Sequence, residues 1–180
     1  MASRAVDWGR YGRVAIAFHW TIAALIAANL LIGFGNETVF DGWIWLHKSI
    51  GLTVLALSLL RLAWRLGHRP PPLPRELPGW QRGLAHGVHW GLYALMVAMP
   101  LSGWVFTSAS AKPRATTFGL FDVPPLPIAP DVALNAGVRD LHGLLGWAMA
   151  ALILLHVAGA LKHQLLDGLP VLRRILPGPV

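Results

Sequence analysis

The chain contains no cysteine, and that absence removes a wide range of chemistry. Thiolate-ligated iron–sulfur clusters, covalently attached c-type haem and disulfides all need cysteine sulfur. Any transition-metal site must therefore rest on imidazole, and eight histidines are present. Charge is scarce too: 13% of the 180 residues are charged against 55% hydrophobic, with a mean hydropathy of +0.54. Such a chain is too apolar for a soluble domain and belongs in a membrane. Acidic residues number only 8 against 15 Lys and Arg. In a soluble protein that excess would point to nucleic acid; here the basic residues fall between apolar runs, so they read as a topology signal and no nucleic-acid partner is expected. There is no GxGxxG, no Walker A loop, no Ser/His/Asp order and no CxxC, so nucleotide-driven and hydrolytic machinery are missing.

What is present is four apolar stretches, about residues 14–34, 44–64, 84–107 and 141–162. Each is long enough, at about 1.5 Å per residue, to cross a hydrocarbon core of about 30 Å. Arg4, Arg10 and Arg13 before the first run resemble a secretory signal, but the run is too long and no clear small-residue cleavage site follows. Nine tryptophans, many near the ends of the runs (Trp43, Trp45, Trp64, Trp80, Trp104), suit the headgroup interface. The expectation is an all-α integral membrane four-helix bundle forming a single domain over residues 1–180.

Orientation follows from Lys and Arg outside the runs. The N-terminal segment, the second connection (Arg65, Arg69, Arg75, Arg82) and the tail (Arg173, Arg174) are basic; the first connection has none and carries Glu37 and Asp41. The third, residues 108–140, spreads Lys112, Arg114 and Arg139 over a long Pro-rich loop that is able to fold over the outer mouth of the bundle. Both termini are thus expected on the cytoplasmic side of the inner membrane. The second connection, with Pro70, Pro71, Pro72, Pro74 and Pro78, reads as a stiff spacer.

Ionisable side chains inside a bilayer are costly, so histidines there are read as functional by default. His142 and His156 lie 14 residues apart, close to four helical turns, so both project from one face of helix four about 21 Å apart along its axis. Matching depths puts His47, near the outer start of helix two, level with His142. It puts His19, near the inner start of helix one, level with His156. Two facing pairs result, as cofactor sites in bundles are built. His89 is nearly level with His19 and His156, so the inner pair stays ambiguous. Gly51 and Gly146, four residues after His47 and His142, and Ala23 and Ala160 after His19 and His156, offer room beside each ring. A lone histidine in a span is as readily a helix–helix hydrogen-bond partner; two depth-matched pairs sharing one helix are harder to explain that way. His68 and His163, near the helix ends, read as solvated interfacial residues.

The segments RVAIAFHW at 13–20, LHKSIG at 46–51, LRLAWR at 60–65, LAHGVHWGLYAL at 84–95, PLSGW at 100–104 and LHGLLGWAMAALILLH at 141–156 resemble, in this order, the bacterial cytochrome b561 family of the superoxide:quinone oxidoreductase type. The likeness runs over about residues 10–176. It implies two b haems, each held by two histidines: His19 and His156 for the inner, His47 and His142 for the outer. It also implies ubiquinone or another quinone as electron acceptor. His86 and His89 match the family's AHxxH motif and are assigned to a haem edge or quinone.

With both axial positions filled by imidazole, electron transfer is favoured over oxygen binding. Arg13, Arg61 and Arg65 at the inner end are placed to pair with haem propionates, although positive-inside bias and snorkelling explain them equally well. Lys48, Lys112, Arg114 and Arg139 oppose that bias and are expected to form a positive mouth that steers a small anion such as superoxide, diluted by Asp122, Asp131 and Asp140. Two rivals remain at this stage. One is a cytochrome b anchor subunit for a periplasmic dehydrogenase or hydrogenase partner; the other is a nonredox transition-metal transporter, disfavoured by the lack of acidic ligands in the spans.

Overall fold

The computed structural model of the chain describes residues 9–35, 39, 42–73, 76–112, 116–118 and 121–177. Arg4, Glu37, Asp41, Arg75 and, among the site residues, Arg114 lie outside these. The described fold is four helices, α1 (Arg13–Gly35), α2 (Ile44–Gly67), α3 (Gly79–Ser108) and α4 (Val132–Leu165), with two short strands, β1 (Thr116–Phe118) and β2 (Phe121–Val123), between α3 and α4. All four helices are long and apolar enough to cross a bilayer.

Their surfaces are inverted relative to a water-soluble bundle. Leu31, Trp90, Trp147 and Leu154 are each about two-thirds exposed on the outside, a distribution that suits a hydrocarbon solvent. The interior is small: Ile22, Tyr93, Met96 and Met149 form the buried cluster, with Phe18, Ile26 and Leu30 packed against it. Close packing joins α1 to α2, α2 to α3 and α3 to α4, so α4 is held mainly by α3.

The helices run past the apolar stretches that define them. α4 begins nine residues before residue 141 because Asp131 caps it, its carboxylate accepting from Leu134 N–H at 2.9 Å. Asn135 Nδ2 then ties the first turn to the Phe106 carbonyl at 2.5 Å. α3 begins at Gly79, directly after Pro78, and contains Pro100, which cannot donate to the carbonyl one turn back. At the far end of α4, Asp167 Oδ2 accepts from Lys162 Nζ at 2.6 Å and His163 Nδ1 at 2.7 Å. Those hydrogen bonds hold the Asp167 carboxyl below the usual carboxylate range.

The third connection is not plain loop. β1 and β2 pair antiparallel with Thr116 opposite Val123 and Phe118 opposite Phe121, and β1 lies against α2. The loop is fastened to the end of α3: Trp104 Nε1 donates to the Pro124 carbonyl, Leu126 N–H to Ser108 Oγ and Asp131 N–H to the Ala109 carbonyl. Three-residue strands are too short to leave an alternation signal.

At the opposite end Arg174 gathers three separate segments. Its Nε donates to the Gly9 carbonyl at 2.8 Å and its Nη2 to the Pro72 carbonyl at 2.9 Å, while Tyr11 N–H returns to the Arg174 carbonyl. Arg174 is thereby buried with its charge solvated by peptide dipoles. A residue read from the sequence only as a topology marker is thus a structural clasp between both terminal segments and the Pro-rich connection.

Candidate functional site

The histidines meet at two levels of the bundle. At the end capped by the β1–β2 loop, the rings of His47 (α2) and His142 (α4) have centroids 6.1 Å apart, with planes crossing at 80°. At the other end the rings of His19 (α1) and His156 (α4) are 6.2 Å apart at 61°. Two imidazoles bound to opposite sides of one metal ion, through bonds of about 2 Å each, place their ring centroids about 6 Å apart. Both pairs match that spacing, and neither is close enough for a direct hydrogen bond to explain it.

At the first level both rings are anchored from behind. His47 Nδ1 donates to the Asn29 carbonyl of α1 at 3.1 Å, and His142 Nδ1 to the Met99 carbonyl of α3 at 3.1 Å. A proton on Nδ1 leaves the Nε2 lone pair free, which is the tautomer of a metal-ligating histidine with a carbonyl behind it. The backbone is cut away to seat each ring: a Cβ on Gly33 would stand 2.9 Å from His47 Cε1, and one on Gly103 3.1 Å from His142 Cε1. Phe106 closes on His142 with ring centroids 5.5 Å apart. Asn29 Oδ1 is buried there with no partner, an orphan acceptor beside the level.

This corrects one expectation. Gly51 and Gly146 do not clear a space beside their own histidines: Gly51 faces the Asn29 amide, and Gly146 is covered by the ends of Met99 and Phe34. The glycines that make room are on the neighbouring helices, since it is the facing backbone that a ring approaches.

The second level holds a third ring. His89 (α3) lies 5.1 Å from His156 at 80°, nearer than His19, with its Nδ1 donating to the Ala85 carbonyl at 2.6 Å. The 6.2 Å spacing of His19 suits a shared metal better than 5.1 Å, but His89 presents a free Nε2 to the same place. His86 is exposed and makes no ring contact with these three among the described residues, although its charge would lie within electrostatic reach of His89. Arg61 and Arg65 come instead to Tyr93, one turn beyond His89. Their guanidinium carbons lie 5.5 and 5.3 Å from its ring centroid, and Arg65 Nη1 donates to the Tyr93 hydroxyl at 3.0 Å. Arg61 also places its charge within electrostatic reach of His19, His89 and His156. Arg13 is exposed at the start of α1, apart from this group. Tyr93 was not singled out in the sequence; its spacing of four from His89 was the available signal.

The two levels share α4, where His142 and His156 are separated by about 21 Å along the axis. Met149 stands midway between His142 and His156, so the buried cluster fills the space between the levels. Of the cations expected on the outer side, Lys48 is half-buried beside His47, while Lys112 and Arg139 are exposed. None of the three forms a salt bridge among the described residues. His68 stacks on Trp64 with centroids 3.7 Å apart, away from both levels.

The chain is similar to known proteins over most of its length. A family model described as prokaryotic cytochrome b561 matches residues 10–178. Cytochrome b561 homolog 2 of Escherichia coli (strain K12) is 37% identical over 174 residues, covering 93% of this chain and 91% of that one. A protein named probable superoxide oxidase CybB, from Yersinia pestis, is 27% identical over 173 residues, covering 93% and 96%. Cytochrome b562 of Cereibacter sphaeroides is 28% identical over 166 residues, covering 86% and 87%.

Proposed function

This chain belongs to the prokaryotic cytochrome b561 family, and from that membership we propose that it is a di-haem cytochrome of the bacterial inner membrane that takes electrons from superoxide outside and delivers them to a membrane quinone such as ubiquinone. Membrane electron transfer through haem b is the family's activity; the haem number, donor, acceptor and sidedness are our reading. The observation that carries it is the pair of histidine couples at 6.1 and 6.2 Å on two levels of one helix.

His47 and His142 would hold the outer haem, His19 and His156 the inner. Each haem supplies a one-electron iron couple. The residues do the rest. Held by two imidazoles, each haem would have no position left for oxygen, and the Nδ1 bonds to the Asn29 and Met99 carbonyls keep Nε2 of His47 and His142 available to hold one. The apolar cluster of Ile22, Tyr93, Met96 and Met149 keeps water from the path between the levels. Arg61 and Arg65 offer positive charge to carboxylates at the inner level, and His89, one turn from Tyr93, is available to a quinone head there. Basic segments at the Arg174 end support a reading in which that end of the bundle faces the cytoplasm.

The test is a spectrum and a haem count of the purified protein, followed by stopped-flow reduction by superoxide with quinone present. Two haems per chain, reduced by superoxide and reoxidised by quinone, are expected. A protein with haem that superoxide leaves oxidised would turn the search toward a protein donor.

Two predictions follow from residues around the outer level. Alanine at Gly33 pushes a methyl group into the His47 ring at 2.9 Å, while alanine at Gly103 meets His142 at 3.1 Å and needs a smaller shift. Gly33→Ala should therefore weaken retention of the outer haem about 10-fold, and more than Gly103→Ala does; titration of the apoprotein with haem measures both. Equal affinities in all three proteins would remove the seat from the account.

Neutralising Lys112 and Arg139 together should slow reduction by superoxide and flatten its salt dependence. Steered encounters gain about 10-fold or more and fade as the Debye length shrinks from about 10 Å at 0.1 M to about 3 Å at 1 M salt. A neutral quinol reductant serves as the control. An unchanged superoxide rate and salt slope would show that the positive mouth has no steering role.

A further inference from the structure

His142 differs from the other three paired histidines in what stands behind its ring. His47 has one acceptor, the Asn29 carbonyl. His19 and His156 have no hydrogen bond at either ring nitrogen among the described residues. His142 Nδ1 has two neighbours: the Met99 carbonyl at 3.1 Å and Ser102 Oγ at 2.9 Å. Ser102 Oγ in turn donates to the same Met99 carbonyl at 2.7 Å. The three groups close a triangle between α3 and α4, and Ser102 is 8% exposed, so water does not compete for it.

Hydroxyls in membrane helices usually bond back to their own chain, four residues earlier. Ser49, Thr53, Thr107 and Ser108 all do so here. Ser102 departs from that pattern: it bonds three residues back and also reaches a ring on another helix. Its hydrogen is committed to Met99, so its lone pair is what faces Nδ1. A ring that ligates through Nε2 carries its proton on Nδ1, and that proton is shared between two oxygens.

We propose that Ser102 is a positioning residue for His142, whose hydroxyl accepts part of the Nδ1–H bond, fixes the ring's rotation and lowers the reduction potential of the outer haem. The inference rests on the reading of His142 as a haem ligand. Its physical basis is that donation from Nδ1–H makes the imidazole a more basic ligand, which stabilises the ferric state. Two acceptors strengthen that effect at His142 over His47, and the fixed rotation preserves the 80° crossing of the two rings.

The test compares Ser102→Ala and Ser102→Thr with wild type as full-length haem-loaded proteins, using optical redox titration and electron paramagnetic resonance. Ser102→Ala should keep both haems while the reduction equilibrium of one shifts three- to tenfold toward the ferrous form, a rise of about 30 to 60 mV for a one-electron couple. Its low-spin signal should move with it, and the other haem should stay in place. Ser102→Thr, which keeps the hydroxyl, should return both readings toward wild type. Loss of the outer haem from the alanine variant but not the threonine variant supports the same role. Two unshifted potentials in Ser102→Ala, or the same shift or loss in both variants, would overturn it. Failure of the underlying reading looks different: wild-type protein without haem, or His142→Ala retaining both haems.

Discussion

Replacing His142 with alanine should halve the haem content of the purified protein, leaving one low-spin b haem where the wild type has two. The ring is one of the two imidazoles at its level, 6.1 Å from His47, and among the described residues no other histidine ring lies in contact with either. A haem left with His47 alone is held by one axial bond, and loss of an inner-sphere ligand exceeds the 10- to 100-fold affinity cost typical of a second-shell partner. The inner level should be spared because it is about 21 Å away along α4 and built from other residues. The substitution itself is tolerable: α3 and α4 stay joined along their length, and the Asp131 cap and the Asn135 bond to Phe106 hold the start of α4. A pyridine haemochrome assay against protein concentration reads the ratio directly. An unchanged ratio would refute His142 as a ligand.

The pairing of His47 with His142 could be reasoned from helical rise alone, whereas at the other level rise left His19 and His89 both facing His156. The 14-residue spacing of His142 and His156 specifies one face and two depths, and counting from the outer and inner ends of α2 and α1 brings His47 and His19 to those depths. The four-helix architecture was equally legible, because twenty-residue apolar runs have few other uses. What the sequence concealed is whatever one helix presents to another. Spacing along a chain says which residues share a face, not which atom of the next helix that face meets. Gly33 and Gly103 carry no mark that separates them from the chain's other glycines, yet each seats a ring; Gly51 and Gly146, which had the apparent right spacing, do not. The carbonyls of Asn29 and Met99 are invisible by nature, since every residue has one. Arg61 and Arg65 were legible as inner cations, but their convergence on Tyr93 needs the side-chain positions. The clasp at Arg174 was hidden by the topology rule, which accounts for the charge without asking where the guanidinium goes.

The level of His156 poses the sharper question, because under the haem reading two rings, His19 and His89, would compete to complete the site opposite it. His19 lies at 6.2 Å and His89 at 5.1 Å. A metal bridged by two imidazoles needs about 6 Å between centroids, so His19 fits as it stands, whereas His89 would have to withdraw. His89 is also tethered to its own helix through Ala85 at 2.6 Å and sits one turn from the Tyr93, Arg61 and Arg65 group. That neighbourhood of proton donors and positive charge suits the edge of the site, where a quinone would be reduced on the proposed reading, better than an axial bond. His19→Ala should therefore abolish the low-spin signature of the inner haem and remove most of the electron flow to quinone. His89→Ala should keep both low-spin haems and slow quinone reduction about 100-fold or more, the cost of losing a positioned proton donor. Reduction of the outer haem by an external donor should be unchanged in His89→Ala, which separates a defect at the quinone from one in the relay. Electron paramagnetic resonance of the two variants, with quinone-dependent reoxidation measured on the same samples, distinguishes the assignments. If His89→Ala loses the low-spin signal and His19→Ala keeps it, the axial ligand is on α3. The quinone-facing role would then pass to His19, and electrons would leave the bundle on the α1 side.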